Sequence, residues 1–179
     1  DEAILRAIGS HHPGVLVDIG TGTGTMIHLL ADRADHMIGI DRSPEMLRFG
    51  RAKLLQSGIT NAELRQGDMN ALDLPSGSAD TVILHQVLHY AHRPAAVIAE
   101  AARILKPTGK LIVVDVAPHE REELRREHAH ARLGFSDEEV LEFMRAAHLN
   151  GRVVDHLTGG ALTVTLWSAK PRPARLRAV

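Results

Sequence analysis

The sequence predicts an α/β domain: an open, mostly parallel sheet with helices on both faces. Three observations carry this. Short apolar runs at Val15–Ile19 and at residues 37–40, 79–84 and 110–116 alternate with segments of helical period. The first run leads directly into Gly20-Thr-Gly-Thr-Gly24 and then a helix, the strand–turn–helix unit of such sheets. The closing runs, residues 152–157 and 161–168, have only the turn Thr158-Gly159-Gly160 between them, so they are expected to form an antiparallel hairpin at one edge.

The elements follow in order. Residues 1–8 suit a short amphipathic helix ended by Gly9 and Pro13, and residues 25–31 have helical character. Ser43-Pro44-Glu45 reads as an N-cap, a first-turn proline and an acidic first turn, opening a helix to about Ser57 that Gly58 stops. Ala62–Gln66 is a weaker strand ending in Gly67-Asp68, and Pro75-Ser-Gly-Ser78 is a turn cluster. Residues 94–106 place Val97, Ile98, Ala101, Ile104 and Leu105 on one helical face, with Pro107-Thr-Gly109 closing the helix. Residues 120–130 are charged and helical in character, and Ser136-Asp-Glu-Glu139 has the form of a capping box before a helix at 140–148. One domain over residues 1–170 is expected, then a basic, proline-containing tail at 171–179.

Composition narrows the function classes. The chain has 179 residues, 44% hydrophobic and 24% charged, enough to bury a core. Its 21 basic and 22 acidic residues give a formal charge of −1, no electrostatic reason for direct nucleic-acid contact. Three Phe, one Trp and one Tyr are too few for a base-stacking platform. The absence of cysteine excludes disulfides, zinc–thiolate sites, iron–sulfur clusters and cysteine nucleophiles. No apolar run approaches the ~18 residues of a membrane helix, and no signal-peptide pattern is present, so a cytoplasmic location is expected. The chain opens on Asp1 rather than Met, as a piece of a longer protein would.

In sheets of this kind ligands bind beyond the carboxyl ends of the strands. Four strand ends carry suitable residues. Asp18-Ile-Gly-Thr-Gly-Thr-Gly24, with Gly20, Thr21, Gly22 and Gly24, lets backbone amides approach a ligand at a helix start. Asp41 is placed to accept from ribose hydroxyls; Asp68-Met69 and Leu84-His85 end the third and fourth strands. The spacing G-x-G-x-G is not the dinucleotide fingerprint G-x-G-x-x-G, and no G-x-x-x-x-G-K-[ST] phosphate loop exists. A tight turn that binds nothing does not account for acidic residues at successive strand ends.

The set Val15-Leu-Val-Asp-Ile-Gly-Thr-Gly-Thr-Gly24, Gly39-Ile-Asp-Arg-Ser-Pro-Glu-Met46, Gly67-Asp-Met69 and Arg103-Ile-Leu-Lys-Pro-Thr-Gly-Lys110 resembles the class I S-adenosylmethionine-dependent methyltransferases, UbiE-like, over residues 13–168. The resemblance implies a Rossmann-like three-layer sandwich with a seven-stranded sheet, and S-adenosyl-L-methionine as cofactor with S-adenosyl-L-homocysteine as product. It implies that Gly20, Gly22 and Gly24 line the methionine moiety and that Asp18 helps order it. It assigns Asp41 to the ribose, Arg42 to one side of the adenine, and Asp68 with the Met69 amide to the adenine edge. His85 is implied near the sulfonium.

A narrower similarity lies in Leu84-His-Gln-Val-Leu-His-Tyr90, Val114-Asp-Val-Ala-Pro-His-Glu120, Arg126-Glu-His-Ala-His-Ala-Arg-Leu-Gly-Phe135 and Leu162-Thr-Val-Thr-Leu-Trp167. These resemble the C-terminal methyltransferase half of bacterial ArsR-type regulator fusions, which implies an N-terminal winged-helix DNA-binding domain outside this chain. Two readings follow: methyl transfer to a small-molecule acceptor, or a ligand-sensing module with little turnover. A third, weaker one is a dimerisation domain that binds nothing; a homodimer is possible under any of them.

The twelve histidines divide. His85 and His89, four apart, share a face if helix starts at the strand end, and either is a candidate base for an acceptor proton. His85-Gln-Val-Leu-His89 has Gln86 where a zincin needs Glu, so metalloprotease chemistry is rejected and no metal is assigned, although His85, His89, His119, His128 and His130 form a conceivable cluster. His11, His12, His28, His36, His92, His148 and His156 read as surface or satisfied packing. Tyr90, the only tyrosine, reads first as core or lid packing, with closure of the pocket as the alternative. Without thiolates, arsenite methylation is disfavoured, and Leu84-His85-Gln86-Val87 is not the Asn/Asp-Pro-Pro-Tyr segment of DNA amino-methylation.

Overall fold

The computed structural model describes residues 2–9, 12–124 and 130–173. In chain order these form α1 (Glu2–Ile8), β1 (Val15–Ile19), α2 (Thr25–Leu30), β2 (His36–Asp41), α3 (Pro44–Gln56), β3 (Ala62–Gln66), β4 (Ala79–His85), a 3-10 turn (Leu88–Tyr90), α4 (Pro94–Ile104), β5 (Leu105–Val116), α5 (Asp137–Ala146), β6 (Leu149–Leu157) and β7 (Val164–Pro171). The strands make one seven-stranded sheet, order β3-β2-β1-β4-β5-β7-β6. β1 to β5 pair in parallel, and β7 runs antiparallel to both β5 and β6, which gives the edge hairpin expected from the sequence.

Alternation along the strands builds two apolar layers. On one face Val17, Ile19, Val82, Leu84, Leu111 and Val113 meet α4 and α5 through Val97, Ile98, Ile104, Val140 and Met144. On the other, Leu16, Met37, Ile83, Ile112 and Leu166 meet α1, α2 and α3 through Ile4, Ile8, Ile27, Leu30, Leu47 and Leu54. Both faces of the central strands are dry, so their sequences read as continuous apolar runs. Trp167 is fully buried, and its Nε1 donates to Asp137 Oδ1 at 2.9 Å, pinning the start of α5 to β7.

The caps act as anticipated: Ser43 Oγ accepts from Met46 N, and Ser136 with Glu139 forms a reciprocal capping box. Each such cap stabilises its helix by about 1 kcal/mol.

The boundary between α4 and β5 departs most from the sequence reading; β6 starts at Leu149 and β7 spans Val164–Pro171, each shifted by three residues. Pro107-Thr-Gly109 does not close a helix outside the sheet. α4 ends at Ile104 and β5 begins at once, Leu105 pairing with Ala79, before the register jumps to Thr81↔Lys110. Lys106 reaches Asp80 at 2.7 Å across that irregularity, an ion pair between β5 and β4. The charged helix anticipated at 120–130 lies partly outside the described residues, as do His11, His128 and the end of the basic tail.

Candidate active site

Backbone hydrogen bonds lock the carboxyl ends of the parallel strands at one level. Gly20 N and Thr21 N both donate to Ile40 O, at 2.7 and 3.0 Å; Gly67 N donates to Asp41 O at 3.0 Å and Gln86 N to Val114 O at 2.7 Å. The loops leaving these ends enclose a cleft of about 1030 Å³ where the strand order turns from β1 to β4. Gly20, Gly22, Asp41, Arg42, Asp68 and Met69 line it, together with Ser43, Gln66, Asn70, Val87, His92 and Arg93.

Gly20 and Gly22 take positive φ values of 75° and 54°. A Cβ on Gly20 would fall 2.2 Å from Val87 Cγ2, because the loop presses against the segment after β4. A Cβ on Gly22 would meet no protein atom within 4 Å and would stand in the open cleft. Gly22 N donates to Asp41 Oδ2 at 2.9 Å, and Ser43 N to Asp41 Oδ1 at 2.8 Å. One carboxylate thus joins the glycine loop to the start of α3 and still keeps lone pairs. Asp68 Oδ1 accepts from both Asn70 N and Asn70 Nδ2; these bonds, with Arg42 nearby, hold its carboxyl below the usual range.

Other residues singled out in the sequence do not line the cleft. Asp18 is buried one layer behind the loop. Burial pushes its carboxyl up to about 6, with the nearby Thr21 hydroxyl opposing and Asp41 adding to the rise. The Thr21 side chain turns onto β2, where a Cβ on Gly39 would lie 2.7 Å from its Oγ1; that oxygen is buried without a well-formed hydrogen bond. Gly24 is the left-handed N-cap of α2.

His85 and His89 do not share a helical face. β4 runs through His85, Gln86 then takes a left-handed backbone with φ 52°, and only a 3-10 turn follows at Leu88. His89 is buried, and its Nδ1 sits 2.7 Å from Asp115 Oδ1. Its ring packs on Tyr90 and His130, with centroids 4.2 and 4.0 Å away. Among the described residues no group of three or more His, Asp and Glu is placed to hold a metal ion.

A profile of the methyltransferase-domain family matches residues 11–162. The chain belongs to the methyltransferase-domain family. It is 34% identical over 103 residues to the phosphatidylethanolamine N-methyltransferase of Cereibacter sphaeroides, covering 57% of this chain and 50% of that protein. Among solved structures it is similar to YcgJ of Bacillus subtilis (TM-score 0.84, 18% identity, 96% and 98% of the two chains). It is also similar to a geranyl diphosphate methyltransferase in complex with SAM (TM-score 0.80, 19% identity, 96% and 84%). The chain spans half or less of the length of the curated relatives it matches.

In this methyltransferase domain the closing motif Arg103–Lys110 is structural. Arg103 donates to Leu72 O and Leu74 O, fixing the chain that follows Asp68 and Met69. Lys110 Nζ donates to Ala7 O and Ile8 O, capping α1. Sequence reading missed Asp115 and Arg93. Asp115 lies near the end of an apolar run, and the motif Val114-Asp-Val-Ala-Pro-His-Glu120 gave it no role. His92, read as an ordinary surface residue, also lines the cleft; the one available cue was that it and Arg93 follow the fourth strand end directly.

Proposed function

We propose that this domain transfers a methyl group from S-adenosylmethionine to a small-molecule acceptor. The observation that supports it most is the Gly22–Asp41 link, an unhindered glycine backbone joined at 2.9 Å to a strand-end carboxylate on one cleft wall. The residues fit the cofactor. Gly20 and Gly22 leave room for its methionine end, Asp41 for the ribose hydroxyls, Arg42, Asp68 and Met69 for the adenine. Asp18 orders the loop from behind. Bound there, the cofactor supplies a methyl carbon activated by a sulfonium. His85, which the resemblance places near the sulfonium, ends β4 but is not among the residues that line the cleft, and burial lowers its pKa, with Asp115 opposing. Methyl transfer then needs alignment and exclusion of water more than acid–base chemistry.

Calorimetry with S-adenosylmethionine and S-adenosylhomocysteine tests the reading. Binding is expected, and Gly22→Val is expected to abolish it; no heat at millimolar ligand overturns the proposal. The relative named for phosphatidylethanolamine acts on an amine, whereas the solved neighbour is named for a diphosphate, so the acceptor has to be read from this chain's own walls.

One observation favours a second reading, a domain that senses S-adenosylmethionine or S-adenosylhomocysteine for an ArsR-type DNA-binding partner. Of the residues that carry the narrower resemblance, His89, Asp115, Gly134 and Phe135 lie off the cleft, whereas Gln86, Val87 and Tyr90 line it. Phe135 N donates to Val116 O, and a Cβ on Gly134 would lie 2.2 Å from Ala117 O. Cofactor binding without any turnover is the result that selects this reading.

A further inference from the structure

We propose that the methyl acceptor is a small free carboxylic acid, bound as its carboxylate by Arg93. The inference rests on the methyltransferase reading of the cleft and supplies its substrate class. The cleft, about 1030 Å³, lies just above the ~300–1,000 Å³ usual for small-molecule sites, which leaves room for a second small molecule beside the cofactor. Its charged residues divide by position. Asp41 is held by two backbone amides, and Asp68 by Asn70 with Arg42 nearby. That accounts for the β2 and β3 side.

The wall that follows β4 is different. Gln86, Val87, Tyr90, His92 and Arg93 line it, and none is acidic. Arg93 lines the cleft and forms no ion pair or side-chain hydrogen bond with any described residue. It is also the N-cap residue of α4, whose start carries no side-chain cap, so the positive end of that helix adds to the same field. An ammonium acceptor finds no counter-ion on this wall, whereas a carboxylate finds a planar fork of donors. Val87 and the exposed ring of Tyr90 give an apolar surface for the rest of the acceptor.

The chemistry balances without a base. One carboxylate oxygen stays on Arg93, and the other attacks the methyl carbon. The new C–O bond forms as the C–S bond breaks, its electron pair remaining on sulfur, which gives a methyl ester and S-adenosylhomocysteine. No proton leaves the acceptor. That agrees with His89 having its Nδ1 committed to Asp115 and standing off the cleft wall.

The test uses benzoate and short aliphatic carboxylates against benzylamine and benzyl alcohol. It reads S-adenosylhomocysteine formation, methanol released from the product by alkali, and calorimetric binding of benzoate to the protein saturated with S-adenosylhomocysteine. Carboxylates are expected to turn over at a rate level from pH 6 to 9, because they titrate near ~4. Arg93→Met is expected to weaken benzoate binding and raise its KM about 10- to 100-fold, the scale of a charge-assisted pair, while cofactor affinity changes less than about 2-fold. Arg93→Lys should recover part of the loss. Turnover of the amine or alcohol alone overturns the proposal, as does binding of cofactor with neither turnover nor binding of any carboxylate. An equal loss of cofactor affinity in Arg93→Met also overturns it, since the guanidinium would then hold the cofactor's own carboxylate. Failure of the methyltransferase reading is distinct: there the cofactor itself does not bind.

Discussion

Asp115 Oδ1 lies 2.7 Å from His89 Nδ1, and the same buried carboxylate accepts from the backbone N–H groups of Leu88, His89 and Val116. It fastens the turn after β4 to the end of β5. His89 O in turn accepts from Ala131 N and Arg132 N, so the connector leading into α5 hangs from the same point. Tyr90 and Arg93 reach the cleft from this fastened segment.

Asp115→Ala is therefore expected to cost about 3 kcal/mol or more, because it leaves buried donors without an acceptor. Asp115→Asn keeps one acceptor oxygen and should lose less. Urea unfolding followed by emission of the single tryptophan, buried Trp167, measures both. Equal losses would mean that the carboxylate's bonds are not what holds the turn.

Gly20 and Gly22 separate folding from binding. Gly20→Ala drives a methyl group into Val87 as well as straining a positive φ, so both stability and cofactor affinity should fall. Gly22→Ala meets only open space and should cost about 1 kcal/mol of backbone strain, while blocking the cleft. Thermal melts with and without S-adenosylhomocysteine check this: the Gly22 variant should keep most of its Tm but lose the ligand-induced shift.

Asp41→Ala is expected to weaken S-adenosylhomocysteine binding about 10- to 100-fold, the loss of a charge-assisted acceptor and of the bond that sets the glycine loop. Asp41→Asn, which retains one acceptor for Gly22 N, should fall between. Calorimetric affinities in that order support the assignment, and unchanged affinity in both places the ribose elsewhere.

Asp18 makes stability depend on pH in a direction opposite to most carboxylates. Its carboxyl is raised from 3.8 to about 6 by burial, so the folded state holds a proton that the unfolded state has released. Its contribution is fully present below about pH 4 and is lost as pH rises through about 6, an effect of about 3 kcal/mol. Asp18→Asn removes that loss. The stability of the variant minus that of the natural chain, from urea unfolding, should grow between pH 4.5 and 7.5; a flat difference would contradict the burial argument.

Much of the cleft was legible in the sequence because its residues sit at strand ends, and strand ends follow from local pattern. Gly20 and Asp41 close apolar runs, Gly22 follows in the loop and Asp68 follows the weaker third strand, and the parallel pairing of Ile19 with Ile40 and Asp41 with Gln66 brings those ends to one level. The β7 reversal was equally readable, from two runs with no helix between them.

What the chain order did not carry is which residues meet across strands. Helical spacing suggested one face for His85 and His89, but the left-handed backbone at Gln86 ends any such face. The β4–β5 register, His85 opposite Val114, then places Asp115 just past that level, against a histidine 26 residues away in sequence. The sequence by itself determined the order of elements, the glycine loop and the strand-end acids, because each is a property of a few consecutive residues. Only the tertiary structure decided that His89 belongs to Asp115 and that Arg93 belongs to the cleft, because both depend on the alignment of separate strands.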